Sequence, residues 1–162
     1  MAAAYRFRPM TRDDLPLVRR WLAAPHVVQW WGKSAEQYAL VSGDLEEPAM
    51  DQYVVEFDSR PFAYLQCYDP IVWPNNGLGL HPFGTRGIDQ FIGEGDMVER
   101  GHGSSFIRAF VESLLSNGVP RVVTDPDPAN ARAIRAYEKA GFNKMGLVDT
   151  PDGRSLLMVC PA

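Results

Sequence analysis

The sequence predicts an α/β (α+β) fold in which seven strands are flanked by about four helices. Two observations predict it: short runs rich in β-branched and aromatic residues recur along the chain, and apolar stripes at helical spacing lie between them. The chain has 162 residues, of which 46% are hydrophobic and 22% charged, as is typical of a globular domain. We therefore expect one domain over residues 1–162.

The first segment predicts a strand that leads into a helix. Residues 5–9 alternate apolar and basic side chains, which is the pattern of an opening strand. Thr11 then offers a helix cap with acidic residues in the first turn, and Leu15, Val18 and Leu22 follow at helical spacing. The expected helix therefore starts directly after the cap and runs through Leu22.

Two adjacent tryptophans, Trp30 and Trp31, follow in residues 26–33. Both cannot face a core from one short helix, so either one of them faces a cleft or both pack beneath a loop. Residues 34–44 predict a further helix, which carries Tyr38.

The next segment predicts a hairpin and a long connection. Residues 52–58 and 61–68 have strand patterns and are joined at Ser59 and Arg60. Residues 69–85 are rich in Pro, Asn and Gly and are long for a connection in a compact domain. We expect this connection to face a substrate.

Residues 86–116 predict a strand, a glycine loop and a helix in succession. The strand covers residues 88–92, and the helix has an apolar stripe. Its members are Phe106, Ile107, Phe110, Val111, Leu114 and Leu115. The amides of residues 100–103 then lie at the positive end of the helix dipole, where Gly101 and Gly103 let an anion approach. The segment predicts a phosphate or pyrophosphate site, with tight packing around small residues as the alternative.

The last segment predicts a strand, a helix and a hairpin. Residues 121–124 form a short buried strand, and residues 129–140 form a helix that ends at a glycine. Residues 143–150 and 155–160 are strands joined by a Pro-Asp-Gly turn.

Charge and chain composition limit the function. The net charge of −4 and the isoelectric point near 5.3 argue against nucleic acid as a partner and favour a cationic small molecule. Residues 1–8 have no apolar signal region, and no stretch approaches the roughly 18 apolar residues of a membrane helix. We expect a cytoplasmic protein, a monomer or homodimer, with no membrane contact.

The cysteines and histidines do not predict a metal site. Cys67 and Cys160 lie far apart in apolar surroundings, so we expect buried, reduced thiols. The histidines, His26, His81 and His102, have no metal-ligand spacing. The sequence therefore predicts chemistry without a metal.

Two motifs resemble the GCN5-related N-acetyltransferase (GNAT) superfamily. Gly101-His102-Gly103 resembles its Gln/Arg-x-x-Gly-x-Gly/Ala signature, although Val98 stands where Gln or Arg is usual. The segment from Asn130 to Phe142 resembles the Asn-x-x-Ala-x-x-x-Tyr-x-x-x-Gly-Phe pattern of the superfamily, which is the more specific match. The resemblance implies one GNAT domain with a central mixed seven-stranded sheet, and acetyl-CoA as cosubstrate.

The same resemblance implies a coenzyme site whose pyrophosphate rests mainly on backbone amides. The implied residues are Phe91, Ile92, Val98, Arg100, Gly101, His102, Gly103, Ser104, Asn130, Ala133 and Tyr137. Asn130 is implied to bind the pantetheine arm, and Tyr137 to give a proton to the coenzyme sulfur. The alternative for Tyr137 is an ordinary core aromatic residue.

Within the superfamily the chain most resembles the aminoglycoside 6'-N-acetyltransferases. The resemblance runs nearly end to end and includes Arg-Gly-Ile-Asp-Gln from Arg86 and Thr-Pro-Asp-Gly from Thr150. It implies one acceptor cleft lined by Trp31, Tyr38, Asp89, Asp125 and Asp152. Carboxylates and aromatic rings suit the ammonium groups and apolar ring faces of aminosugars. The alternative is that Asp125 and Asp127, each followed by proline, are only turn or cap residues.

One loop departs from that family. Its members carry an acidic, Trp-containing loop before Arg-Gly-Ile-Asp, whereas residues 75–84 have no acidic side chain. We therefore expect weaker acceptor binding than in relatives that retain the acids.

The catalytic residues implied by the resemblance are Asp89 at the amine and Tyr137 at the sulfur, with the amide near Ile92 at the thioester carbonyl. Two other functions are open. One is an N-acyltransferase of siderophore assembly that acts on a lysine-type amine, a group that tends to have His where Asp89 stands. The other is a non-catalytic module that binds acyl-CoA.

Overall fold

The structure, a computed structural model, describes residues 5–161. The strands are β1 (Tyr5–Pro9), β2 (Met50–Phe57), β3 (Arg60–Tyr68), β4 (Arg86–Ile92), β5 (Arg121–Thr124), β6 (Asn143–Thr150) and β7 (Gly153–Pro161). The helices are α1 (Leu15–Leu22), α2 (Pro25–Trp31), α3 (Ser34–Gly43), α4 (His102–Ser116) and α5 (Ala131–Lys139). The predicted α/β class and seven strands are confirmed, with five α-helices among the described residues rather than about four.

The seven strands form one mixed sheet in the order β1-β2-β3-β4-β5-β7-β6. Strand β1 runs antiparallel to β2, and β7 runs antiparallel to both β5 and β6. Strands β4 and β5 are parallel, and the long α4 crossover between them allows that direction. The mixed sheet that the resemblance implied is therefore confirmed.

The parallel pairing of β4 and β5 is short. It joins Arg86 to Val122 and Gly87 to Val123, and no further pair is formed by these two strands in the described chain. The next bond is made by a side chain, because Thr124 Oγ1 donates to the carbonyl of Ile88 at 2.9 Å. The backbones are thus joined only at the start of β4.

The chain forms two compact units. The first extends to Cys67 and includes Gln90–Arg100, and the second contains Tyr68–Asp89 and the chain from Gly101 onward. Trp21, Tyr64 and Phe91 are large aromatic members of the core of the first unit. In the second unit, Leu78 packs with strand residues of β5 and β7.

Several element boundaries differ from the prediction because of local backbone geometry. The β2–β3 turn is at Asp58 and Ser59, which have φ of 48° and 67°, rather than at Ser59 and Arg60. Two successive residues with positive φ match the twist of a tight hairpin, so Arg60 already belongs to β3. A 3-10 turn follows Thr11, so α1 begins three residues later than predicted.

Both cysteines are buried free thiols, as predicted. Over the described chain, no helix is long and apolar enough to cross a membrane. No group of three or more His, Cys, Asp and Glu side chains in residues 5–161 is arranged to hold a metal ion. Residues 1–8 were considered above for a signal region, and residues 1–4 of them lie outside the described residues.

Candidate functional site

A β-bulge bends the chain at the end of β4, within the first unit. The amides of Gly93 and Glu94 both donate to the carbonyl of Phe62, at 2.8 and 3.2 Å. Two successive residues therefore oppose one partner residue, which is the pattern of a bulge. An added Cβ at Gly93 would lie 2.1 Å from the Trp21 ring, so only glycine fits there. The close packing of the Trp21 ring against Gly93 therefore fixes the position of the bulge.

Phe91 and Ile92, which were predicted to contact the coenzyme, lie directly before this bulge. The Phe91 ring is buried and stacks on Tyr64 with centroids 5.3 Å apart, so its side chain belongs to the core. The carbonyl of Ile92 accepts a hydrogen bond from His26 Nε2 at 2.8 Å. No sequence signal links His26 to a strand residue 66 positions away.

The loop after the bulge carries Val98 and Arg100, both predicted to bind pyrophosphate. Val98 is half-buried, whereas Arg100 is exposed and its Nε donates to the carbonyl of Asp96 at 2.7 Å. Between them Glu99 has a φ of 61°, a left-handed conformation that non-glycine residues adopt rarely. The loop therefore has a defined turn geometry within the first unit.

Helix α4 begins at a glycine in a left-handed conformation. Gly101 caps the helix with a φ of 82°, and an added Cβ would meet no atom of the described residues within 4 Å. Glycine is thus needed for the backbone angle and not for space. His102, Gly103 and Ser104 form the first turn, whose side chains bring no negative charge. Its terminal amides and dipole suit an anion.

Three of the predicted acids lie together in the second unit. Gly87 pairs with Val123, and Asp89 and Asp125 each follow two residues after this last pair of the two parallel strands. Asp152 belongs to the β6–β7 turn and acts on Asp125 electrostatically, as Asp89 does. We call Asp89, Asp125 and Asp152 the acid cluster.

The acid cluster retains a proton near neutral pH. Burial, together with the charges of Asp89 and Asp152, raises the pKa of Asp125 to about 7. A hydrogen bond from Ser155 acts in the opposite sense, because it stabilises the carboxylate. Ser155 was not predicted, since its approach depends on the register of β7. A bound cation would offset the repulsion from Asp89 and Asp152, which helps Asp125 to keep its proton.

Asp127 has a different role from Asp125. Its Oδ1 accepts a hydrogen bond from the amide of Ala129 at 2.8 Å, and the residue is exposed. The alternative of a turn residue is therefore correct for Asp127. Asp125 instead faces the other members of the acid cluster.

Asn130 and Ala133, both predicted to contact the coenzyme, contact each other at the start of α5. The amide of Ala133 donates to Oδ1 of Asn130 at 3.2 Å, which makes Asn130 the helix cap. The helix consequently begins at Ala131 and not at Ala129. A ligand contact by Asn130 would use its Nδ2 group, since Oδ1 serves the cap.

Tyr137 is packed in the second unit. It is 3% exposed, and its ring meets Phe142 edge-on with centroids 5.3 Å apart. The Tyr137 ring is therefore part of the core, as the alternative for this residue stated. A packed ring also holds its hydroxyl in one position, which a proton donor requires.

Trp31 and Tyr38, predicted to contact the acceptor, lie half-buried in the first unit. Trp31 packs edge-on against Phe91, with centroids 5.0 Å apart. The guanidinium of Arg19 lies 5.0 Å from the centroid of the Tyr38 ring, a cation–π contact. Both rings thus have packing partners, and their role toward an acceptor stays a prediction.

The connection over residues 69–85 is ordered by its own hydrogen bonds. Nδ2 of Asn76 donates to the carbonyl of Pro70 at 3.1 Å, and Oδ1 of Asn76 accepts from the amide of Leu78 at 2.7 Å. Leu78 is 3% exposed and packs with Val123. The loop is therefore anchored in the second unit, and its contact with a substrate stays a prediction.

Known proteins resemble the chain over nearly its whole length. A family model for the acetyltransferase (GNAT) domain matches residues 10–150. Aminoglycoside N(6')-acetyltransferase type 1 from Klebsiella pneumoniae is 36% identical over 167 residues, covering 94% of this chain and 80% of the relative. N(6)-hydroxylysine O-acetyltransferase from Escherichia coli is 27% identical over 157 residues, covering 91% of this chain and 48% of that protein.

Solved structures agree with these relatives. The aminoglycoside acetyltransferase AAC(6')-Ib in complex with coenzyme A and kanamycin aligns with a TM-score of 0.87 and 34% identity, covering 98% of this chain and 95% of that chain. A further structure of AAC(6')-Ib contains acetyl-CoA and aligns equally well. The matches define the class of protein as an acyltransferase enzyme. The chain belongs to the GNAT family of acetyltransferases.

Proposed function

We propose that this enzyme transfers the acetyl group of acetyl-CoA to the 6'-amino group of an aminoglycoside. The observation that carries the proposal is the acid cluster, in which the charges of Asp89 and Asp152 both act on Asp125. Two neighbouring carboxylates suit a polyamine acceptor better than a single ammonium group. The 36% identity to an aminoglycoside N(6')-acetyltransferase supports the same acceptor class.

Acetyl-CoA is the proposed cosubstrate. The start of α4 fits its pyrophosphate, because a left-handed glycine cap exposes amides in a turn without acidic side chains. We assign the pyrophosphate to the amides of residues 98–104, and the pantetheine arm to Asn130. Crystallised AAC(6')-Ib binds acetyl-CoA, which supports the assignment.

The proposed reaction forms an N–C bond and breaks the C–S bond of the thioester. Asp89 anchors the acceptor ammonium, and its proton leaves through water beside that carboxylate. Direct transfer to an ordinary aspartate, with a pKa of about 4 against roughly 9 to 10 for the amine, is uphill by about 7 kcal/mol. The amide of Ile92 stabilises the oxyanion, and the Tyr137 hydroxyl gives a proton to the departing thiolate.

Further assignments follow from this activity. We propose that both compact units belong to one N-acetyltransferase domain, which the 98% coverage in the structural alignment supports. We place the enzyme in the cytoplasm, where acetyl-CoA is available, and its partner is a cationic small-molecule amine. The acidic net charge supports the expectation that nucleic acid is not a partner.

The test compares Asp89→Asn with Asp152→Asn. Asp89 lies on β4, whereas Asp152 is an exposed turn residue, so Asp89→Asn should reduce kcat more strongly, by roughly 10- to 1,000-fold. Asp152→Asn should mainly raise KM for the acceptor. Steady-state kinetics with acetyl-CoA and kanamycin measures both. Equal effects of the two substitutions on kcat would contradict the assignment of Asp89.

A further inference from the structure

The carboxylate of Glu94 collects three donors from distant parts of the first unit. Trp21 Nε1 donates to Oε2 at 2.5 Å and Arg20 Nη2 donates to the same oxygen at 2.9 Å. Arg60 Nη2 lies 3.5 Å from Oε1. The donors come from α1 and from the first residue of β3, so one side chain links the bulge to two other elements.

The Glu94 carboxylate lies largely out of solvent. Its side chain is 16% exposed, and Trp21 is 1% exposed. The indole N–H is buried with its ring and has the Glu94 carboxylate as its acceptor, so loss of that carboxylate leaves a buried donor unsatisfied. Arg20 and Arg60 are more exposed and contribute charge. Such a site holds a side chain in one position.

The fixed carboxylate is directly connected to the loop that follows. The Glu94 amide is bound in the bulge, and its carbonyl accepts from the amide of Met97 at 3.0 Å. Arg60 also binds Asp96 through two bonds of 2.9 Å each. The carbonyl of Asp96 in turn accepts from Arg100. The backbone from Gly93 to Arg100 is thus held by contacts that begin at Glu94.

We propose that Glu94 is a positioning residue for coenzyme binding: its contacts with Trp21, Arg20 and Arg60 preset the loop of residues 95–100 for the coenzyme pyrophosphate. This inference rests on the proposed function. Glu94 itself touches no reacting atom and acts through the loop backbone. A preset loop lowers the conformational entropy lost on binding, so the effect is on coenzyme affinity and not on the chemical step.

The test measures coenzyme A binding by titration calorimetry for the wild type, Glu94→Ala and Glu94→Gln. Glu94→Gln keeps an oxygen acceptor for the indole but loses the charge that faces the two arginines. We expect Kd to rise by about tenfold in Glu94→Ala and by a smaller factor in Glu94→Gln. KM for acetyl-CoA should rise in parallel, while kcat at saturating acetyl-CoA changes by less than about threefold.

The matched control is Glu46→Gln, which removes an exposed ion pair with Arg12 in the same unit. It should leave Kd unchanged. Hydrogen exchange of the amides of residues 95–100 should be faster in Glu94→Ala than in the wild type and the control. If Glu94→Ala does not fold, Glu94→Gln decides the question by the same two measurements.

Two negative results have different meanings. Wild-type Kd and wild-type exchange in a folded Glu94 variant would overturn the positioning role and leave the proposed function intact. Absence of coenzyme A binding by the wild type itself would overturn the proposed function, and the positioning role with it.

Discussion

Asp125 is the residue whose charge depends most on its surroundings. Burial and the charges of Asp89 and Asp152 together raise its pKa to about 7, although Ser155 donates a hydrogen bond to it. The unfolded chain would ionise this group near pH 4. Between about pH 4 and 7 the folded state therefore holds a proton that the unfolded state has released, and stability falls as the pH rises through this range. The loss of folding stability caused by Asp125 is complete above about pH 7.

The first prediction follows from this fall in folding stability with rising pH. Asp125→Asn removes the ionisable group, so the variant should be more stable than the wild type at pH 8 and gain nothing comparable at pH 4. Thermal unfolding across this pH range measures the difference. Asp127→Asn is the matched control, because Asp127 is exposed and an asparagine oxygen can still cap Ala129. A pH-independent effect of Asp125→Asn would show that Asp125 is not held protonated.

The acids were predictable from sequence, whereas their neighbours were not. Asp89, Asp125 and Asp152 each belong to a short segment that resembles a known family, and in the structure Asp89 and Asp152 lie close enough to Asp125 to raise its pKa. Ser155 and His26 carry no such signal. Their contacts arise from the register of β7 and from the packing of α2 on β4, which no local pattern determines.

At the scale of elements, the start of α4 contains two glycines with different tasks. Gly101 has a φ of 82° and is required by the backbone, whereas Gly103 lies inside the first helical turn. A left-handed conformation costs an L-residue about 1 to 2 kcal/mol. Substitution of Gly101 therefore tests the stability of the helix start, whereas substitution of Gly103 tests the approach of a ligand.

The second prediction uses this contrast. Gly101→Ala should lower the free energy of unfolding by about 1 kcal/mol. Gly103→Val should leave the fold intact and weaken coenzyme A binding, because a branched side chain crowds the amides assigned to pyrophosphate. Denaturant unfolding and calorimetric binding measure the two effects. Unchanged coenzyme affinity in folded Gly103→Val would move the pyrophosphate away from this helix start.

The strands were predicted more closely than the ends of the helices. β1, β5 and β6 have the predicted bounds, because alternation and turn residues mark short strands well. Helix α5 starts two residues later than predicted, since Asn130 serves as its cap. No sequence pattern marks the bulge after β4, because it depends on Gly93 fitting beneath Trp21. Such contacts are tertiary and leave no periodic pattern.

At the scale of the whole molecule, charge and family agree on the acceptor. The chain has a net charge of −4, and three of its acids form one cluster in the second unit. The loop of residues 75–84, which is acidic in the family it resembles, carries no acid here. We therefore propose that acceptor binding depends on the acid cluster, and we expect a higher KM than in relatives with an acidic loop.

The most direct test of the central claim is to locate the acetyl group after reaction. Purified enzyme, acetyl-CoA and kanamycin are incubated, released coenzyme A is quantified, and the acetylated position is assigned by NMR. A matched aminoglycoside with a 6'-hydroxyl in place of the 6'-amine is the control. We predict one acetyl group on the 6'-nitrogen of kanamycin and no N-acetylation at that position in the control. Turnover of a lysine-type monoamine without turnover of any 6'-amino aminoglycoside would contradict the account.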